Sequence, residues 1–458
     1  MRRLFLTGLL GFIFLAACSN NGTRPDGYKL QPHDGLVSEP VFNGKVYLRM
    51  RGNPAGPVVF LVHGLGDDAS EIWQETINKL EQDYFVATLD LPGFGQSGKA
   101  NELYSPENYV KVIHHLSETY IRQPFHLVGH SLGGAISLRY AATFPDDIKT
   151  LTLVDAAGIL HRLAYTKYLA PMGLKMFSGV DVFDNNDISS LVGLLLHKAE
   201  DMMRFDPSRL IQTPFLRAKV LRGNPMTISG LALVLDDFSK MPSKVKAATR
   251  IIWGEKDEIA PLRTGHVLNA LIPNSSLHII SGAGHVPIRN NPDEFHLLLV
   301  KGLKQAKPDL VATDKQDAQQ GTVACDNKNN VIYNGLIKTL IIKNCKNVLV
   351  KDAVIGNVII ENSRVHLENL KINAVGNTAV EISDSAVMMT AGTITGKIAI
   401  AAQDSRLDIA GTKLVGKNAA VEISSTTDVI FSLTPISSGR KEDTMLHGRM
   451  KLQAGKKL

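Results

Sequence analysis

At 458 residues the chain is too long for one ordinary core, and 44% hydrophobic with 21% charged residues is the make-up of folded globular protein. Wholesale disorder and a polytopic membrane protein are excluded. The net charge of +6 is unevenly placed: Arg2 and Arg3 lie in a leader, and the last 19 residues hold six basic against two acidic side chains. The middle of the chain is close to neutral. Recognition of nucleic acid needs a basic face on a folded domain, so none is expected. The basic tail, 439–458, reads as a solvated end able to touch anionic lipid.

In chain order, Met1-Arg2-Arg3 precedes an apolar run from Leu4 to Leu15, then Ala16-Ala17-Cys18. A run of twelve residues is too short to span a bilayer, which takes about 20. A short basic start, an apolar stretch and small residues before a cut describe a secretory signal over 1–17. Leu15-Ala16-Ala17-Cys18 resembles the lipobox of bacterial lipoproteins, which implies acylation of Cys18 and a lipid-anchored protein of the cell envelope. Arg2-Arg3 also faintly echoes a twin-arginine signal, so the export route stays open. Ser19, where an Asp would resemble an inner-membrane retention signal, favours the outer membrane in a Gram-negative source. Residues 18–40 read as a flexible tether.

Residues 41–306 alternate short apolar runs with amphipathic stretches. The runs begin at Val58, Phe85, Phe125, Thr150, Arg250 and Leu277; helical patterns lie between, such as Asn108 to Tyr120 and Pro292 to Lys304. Near-continuous apolar strands alternating with helices predict a mostly parallel sheet covered on both faces. Residues 156–246 break that rhythm with a helical insertion, a cap holding six of the twelve methionines. A polar linker is expected over 307–321.

From 322 to 438 the texture changes. Short β-branched runs are punctuated by Asn344-Cys345, Asn362-Ser363, Asp384-Ser385, Asp404-Ser405 and Ser425-Thr426, about 20 residues apart. Ala379-Val380-Glu381-Ile382-Ser383 recurs as Ala420-Val421-Glu422-Ile423-Ser424. A fixed period with little helical signal predicts an all-β solenoid, each coil burying its apolar side chains against the next. It resembles the right-handed parallel β-helix family, with nothing in the sequence to fix the hand. With Cys18 lipidated, Cys325 and Cys345 form an even pair in an oxidising compartment. They lie one coil apart, so stacking at one coil position would bring them within disulfide reach.

Chemistry concentrates at Gly129-His130-Ser131-Leu132-Gly133, which follows an apolar strand and opens an apolar helix. A serine on a sharp strand-to-helix turn needs small neighbours; this is the G-x-S-x-G elbow. With it stand His63-Gly64-Leu65-Gly66 after an earlier strand, Asp90-Leu91-Pro92-Gly93-Phe94-Gly95-Gln96-Ser97 after the next, Asp257 after Trp253-Gly254, and His285 within Gly284-His285-Val286-Pro287. On these motifs residues 41–306 resemble the capped branch of the α/β-hydrolase fold superfamily. The resemblance implies Ser131 as nucleophile, Asp257 as triad acid, His285 as base, and the backbone N–H groups of Leu65 and Leu132 as oxyanion donors. Asp155 is the rival acid, with Glu255 and Glu258 weaker ones. His114 and His115 read as helix-surface residues. No cluster has metal-ligand spacing, so neither metal nor cofactor is expected.

Serine at the elbow implies an acyl-enzyme, and the default is hydrolysis of a small ester with an apolar acyl group, for which the methionines of the cap supply adaptable lining. Hydrolytic C–C cleavage and cofactor-free perhydrolysis use the same triad and stay open. A reading of another class is an envelope-binding protein that works through the solenoid on a glycan or another envelope protein. Against a glycan, Phe431 is the one aromatic after Tyr333. The solenoid is read as a spacer or protein-contact module; deleting residues 307–458 discriminates the two classes, since ester hydrolysis should survive if the front domain is self-sufficient.

Overall fold

In the computed structural model, residues 28–458 are described except 67, 163, 165–207, 305–319, 424–426, 439–442 and 452–454. The leader, Cys18, and Met172, Met176, Met202 and Met203 of the cap lie outside the described residues. Among the described residues no helix is long and apolar enough to cross a membrane.

The first half is built on an eight-stranded sheet: β1 (His33–Glu39), β2 (Gly44–Gly52), β3 (Val58–Val62), β4 (Phe85–Leu89), β5 (Phe125–His130), β6 (Ile148–Val154), β7 (Ala248–Gly254) and β8 (Ser275–Ile280), in the spatial order β1-β2-β4-β3-β5-β6-β7-β8. Pairing is parallel from β4 onward and antiparallel at β1–β2 and β2–β4. The central strands β3 and β4 are buried along their whole length, as an apolar run with no polar alternation requires when both faces are covered.

The helices are α1 (Gln74–Leu80), α2 (Pro106–Leu116), α3 (Leu132–Thr143), α4 (Ser208–Gln212), α5 (Pro214–Lys219), α6 (Pro225–Leu235), α7 (Arg263–Leu271), α8 (Pro287–Asn290) and α9 (Pro292–Lys304). They cover the sheet with two apolar layers, one around Phe60, Tyr109 and Ile136, the other around Trp73, Phe295 and Leu299. Ser105 caps α2 by accepting the Asn108 N–H at 3.3 Å. The helical pattern expected to run to Tyr120 leaves α-geometry at Leu116 for a wider turn over Ser117–Ile121.

Within the stretch 18–40 expected as a tether, residues 33–39 are the paired strand β1, and residues 18–27 lie outside the described residues. Glu39 closes the β1–β2 hairpin by accepting the N–H groups of Val41, Phe42 and Gly44. As an edge strand β1 buries only Val37 and Glu39 and leaves Leu36 exposed, so its apolar signal is weak.

The second half is an all-β region: β9 (Gln320–Asp326), β10 (Ile332–Lys343), β11 (Val348–Glu361), β12 (Arg364–Ser383), β13 (Ala386–Gln403), β14 (Arg406–Ala410), β15 (Lys413–Ile423), β16 (Asp428–Ser438), β17 (Thr444–Lys451) and β18 (Lys456–Lys457). It starts at Gln320, two residues before the expected boundary. From β9 to β16 the pairing is parallel. Apolar residues stack in register, as in Val365, Val387, Leu407 and Val429, around a separate core.

The Asn/Asp–Ser pairs earn their spacing at the corners. Asn344, Asn362, Asp384 and Asp404 all take positive φ, a conformation their short polar side chains tolerate. The residue after each forms a ladder: Cys345, Ser363, Ser385 and Ser405 each donate N–H to the hydroxyl of the next rung, Ser363, Ser385, Ser405 and Thr427. The last described rung is Thr427; the expected Ser425-Thr426 pair lies outside the described residues.

Cys325 and Cys345 form a disulfide with Cα atoms 6.6 Å apart. They do not stack at one position: Cys325 lies in β9 in register with Ile342, while Cys345 sits at the following corner. The basic tail is not a solvated end. β17 pairs antiparallel with β16, and β18 with β15. Leu446, Met450 and Leu458 pack on the β core, and Arg449 pairs bidentately with Asp428 at 2.9 and 3.0 Å. Counting charge alone misses these apolar residues set between basic ones.

The two halves are packed together. Arg263, at the start of α7, is buried against the β region: its Nε donates to Thr390 Oγ1 at 2.9 Å, and its Nη2 to Met389 O at 2.9 Å, Asp408 O at 3.1 Å and Asp408 Oδ1 at 3.0 Å. Ala410, Ile430 and Leu433 join the core of the first half. The His161 N–H donates to Ser432 Oγ at 3.0 Å, and its ring meets that of His447 edge-on. The region expected as a spacer or protein-contact module is thus more than a spacer: it contributes buried surface to the first half.

Candidate active site

Ser131 joins β5 to α3 at φ +54°, ψ −117°, outside the ordinary allowed regions. The turn is held on both sides: the Ser131 N–H donates to Val154 O at 3.0 Å, and Ser131 O accepts from Ala157 at 3.2 Å. Its glycines are dictated by close approach. A Cβ on Gly129 would sit 2.2 Å from Gly133 O, and one on Gly133 2.2 Å from Val62 O.

Three loops at the ends of parallel strands bring the other side chains to Ser131. His285, after β8, lies with Nε2 2.9 Å from Ser131 Oγ and Nδ1 2.8 Å from Asp257 Oδ2. Asp257, after β7, is fixed by its other oxygen, which accepts the N–H groups of Ile259 at 2.8 Å and Ala260 at 2.9 Å. The Asp257 side chain is fully buried and that of His285 nearly so. In a dry site such charge-assisted contacts are stronger than in water.

The turn after β3 carries His63, Gly64, Leu65 and Gly66. Leu91 donates its N–H to His63 Nε2 at 2.9 Å, so the ring proton sits on Nδ1 and is given to Gly64 O at 2.7 Å. Fixing that carbonyl fixes the planar Gly64–Leu65 peptide, and with it the Leu65 N–H on the opposite side. Leu132 is the first residue of α3, where N–H groups have no partner within the helix. His130 holds the loop after β8 by donating from Nε2 to His285 O at 2.8 Å. Burial pushes His63 down to about 4 and His130 to about 3, so both stay neutral struts.

The loop after β4 is braced by Asp90, which accepts from Ser70 and from the Gln96 N–H at 2.8 Å. Above it lies α6 of the cap: a Cβ on Gly93 would come 2.7 Å from Pro225 Cβ, and Tyr109 OH is 2.8 Å from Ser229 Oγ.

The rival acids stand elsewhere. Glu255 is exposed and accepts from Ser281 Oγ and the Gly282 N–H; Glu258 is exposed. Asp155 follows β6, fully buried, and accepts the Gly254 N–H at 2.8 Å rather than touching His285. His114 is not a free surface residue: its ring stacks on Phe144 with centroids 3.7 Å apart, while His115 is half-buried on the same helix. Sequence reasoning missed Arg263, a buried cation at a helix start whose partners lie more than a hundred residues away.

Residues 57–292, just over half of the chain, match the family described as the alpha/beta hydrolase fold. The chain belongs to that family, and it is a serine hydrolase. An uncharacterised protein of Mycobacterium tuberculosis is 29% identical over 56% of this chain and 77% of its own length. Lipase 1 of Psychrobacter immobilis is 27% identical over 55% of this chain and 78% of its own. A monoacylglycerol lipase of Xenopus laevis is 28% identical over 55% and 76%.

Proposed function

We propose that Ser131, His285 and Asp257 are the catalytic triad of this serine ester hydrolase, with the N–H groups of Leu65 and Leu132 as the oxyanion hole. The observation that carries the reading is the single imidazole bridging Ser131 Oγ at 2.9 Å and Asp257 Oδ2 at 2.8 Å. A serine hydroxyl is a poor nucleophile at neutral pH and needs a base beside it. His285 Nε2 takes the Ser131 proton as Oγ attacks the acyl carbon, and Asp257 holds the ring's other N–H and stabilises the imidazolium. The two backbone N–H groups receive the tetrahedral oxyanion. On its collapse His285 returns the proton to the leaving alcohol, and water repeats the sequence to release the acid.

The substrate we propose is an ester with an apolar acyl group, in keeping with the names of the lipase and monoacylglycerol lipase relatives. We read the C-terminal strands as a β-solenoid, and the protein as held at the envelope by an acylated Cys18. Labelling of the mature protein by a fluorophosphonate tests the triad. Reaction with wild type and none with Ser131→Ala is expected; an unlabelled but folded wild type would overturn it. A chain-length series of p-nitrophenyl esters then tests the pocket, and a Cys18→Ala variant that still partitions with membranes would refute the anchor.

A further inference from the structure

Asp155 is a second carboxyl beside the triad acid. It takes φ +44° at the end of β6 and is stapled to β7 twice, its N–H donating to Ile252 O at 3.1 Å and its Oδ1 accepting the Gly254 N–H at 2.8 Å. Its Oδ2 is buried with no donor in reach, and Asp257 belongs to the same turn, its own N–H donating to Gly254 O at 3.2 Å, which brings the two carboxyls close enough to interact. Two ionised carboxyls in such a place have no proton between them, and burying both charges is prohibitive. Which one holds a proton is decided by the donors each commands. Asp257 has three: two backbone N–H groups and His285 Nδ1. Asp155 has one.

We propose that Asp155 is a neutral carboxylic acid whose Oδ2–H donates to Asp257, making it a positioning residue for the triad. This rests on the reading of Asp257 as triad acid. Burial and the neighbouring Asp257 charge both push the Asp155 carboxyl well above its ordinary range, in accord with the donor count. The other groups facing the His–Asp pair do not alter the assignment: His130 on β5 and His63 after β3 are neutral, and Glu255, Lys256 and Glu258 of the Asp257 loop are exposed. The proton has a structural effect, tying the β7–α7 loop to the end of β6, and an electronic one. A donor on Asp257 spreads its negative charge, so less of it acts on the imidazolium of His285.

The test is infrared difference spectroscopy of the full mature protein, wild type against Asp155→Asn, at pH 7 in water and deuterium oxide. We expect a protonated-carboxyl stretch in wild type that shifts in deuterium oxide and vanishes in the variant; its absence from wild type overturns the proposal. The pH profile of kcat/KM gives a second reading. Asn keeps both an acceptor and a donor and tolerates positive φ, so Asp155→Asn should leave the acid limb in place. Asp155→Ala, which loses the donor, should lower kcat/KM by roughly ten- to a hundredfold and move the acid limb to higher pH. Were Asp155 ionised, either substitution would remove a negative charge and move that limb to lower pH, which would refute the assignment. Failure of the triad itself would show separately, as a wild type that does not react with fluorophosphonate; the infrared band would still decide the state of Asp155.

Discussion

Replacing Asp408 by alanine removes the one carboxylate that Arg263 meets, among the described residues, between the two halves of the molecule. Both side chains are 4% exposed, so the guanidinium would stay buried without a counter-charge. Breaking a buried pair from one side costs about 3–5 kcal/mol, far more than the net worth of the pair. Arg263 would keep its bonds to Thr390 Oγ1, Met389 O and Asp408 O, which places the cost near the lower end, about 3 kcal/mol. In a domain of this size that is a fall in Tm of roughly 6–12 °C. Glu107→Ala is the control, because its pair with Lys111 is more than half exposed on both sides and is worth about 0–1 kcal/mol. The assay is calorimetric melting of the mature protein, with the double variant Arg263→Met, Asp408→Leu expected to recover most of the loss. A single variant that melts no lower than the Glu107→Ala control would refute the reasoning. The same packing sets the outcome for a chain cut after residue 306. Arg263 and the apolar surface over Ala410, Ile430 and Leu433 would face water, so the truncated protein should be unstable and prone to aggregate.

His63→Ala should lower kcat with little change in KM, because it frees the Gly64–Leu65 peptide; the ceiling is the roughly 10²–10³ typical of one oxyanion donor, and steady-state kinetics with an unchanged kcat would show that the ring is only packing. His126, buried on β5 against Thr150 Oγ1, is pushed down to about 4 by burial. Its folded value lies below its unfolded one, so the unfolded chain binds the proton first and stability is lost as pH falls from about 6.5 towards 4. At about 1.4 kcal/mol per unit this amounts to about 3 kcal/mol, and urea melts of His126→Gln should show a correspondingly flatter acid slope. Ser385→Ala should cost about 1–3 kcal/mol by leaving the buried Ser363 N–H without its acceptor; denaturant titration showing no loss would mean the corner ladder is not under load.

Much of this protein was legible in the sequence because its signals are local. A run such as Val58–Val62 must be buried on both faces, and Gly129-His130-Ser131-Leu132-Gly133 encodes its own turn through close approaches that admit only glycine. The order of Ser131, Asp257 and His285 follows from strands that end on one side of a parallel sheet. The Asn/Asp–Ser corners announced their period because each repeats one backbone problem, a positive φ followed by a shared hydroxyl. The tertiary structure decided what depends on pairing across distance. It folded β1 and the basic tail into sheets, since an edge strand or a charged strand reveals itself only by its partner. It set Asp155 against Asp257 and Arg263 against Asp408. Sequence order cannot state that two such groups share one buried space, and the cost of burying a charge makes that the fact that matters.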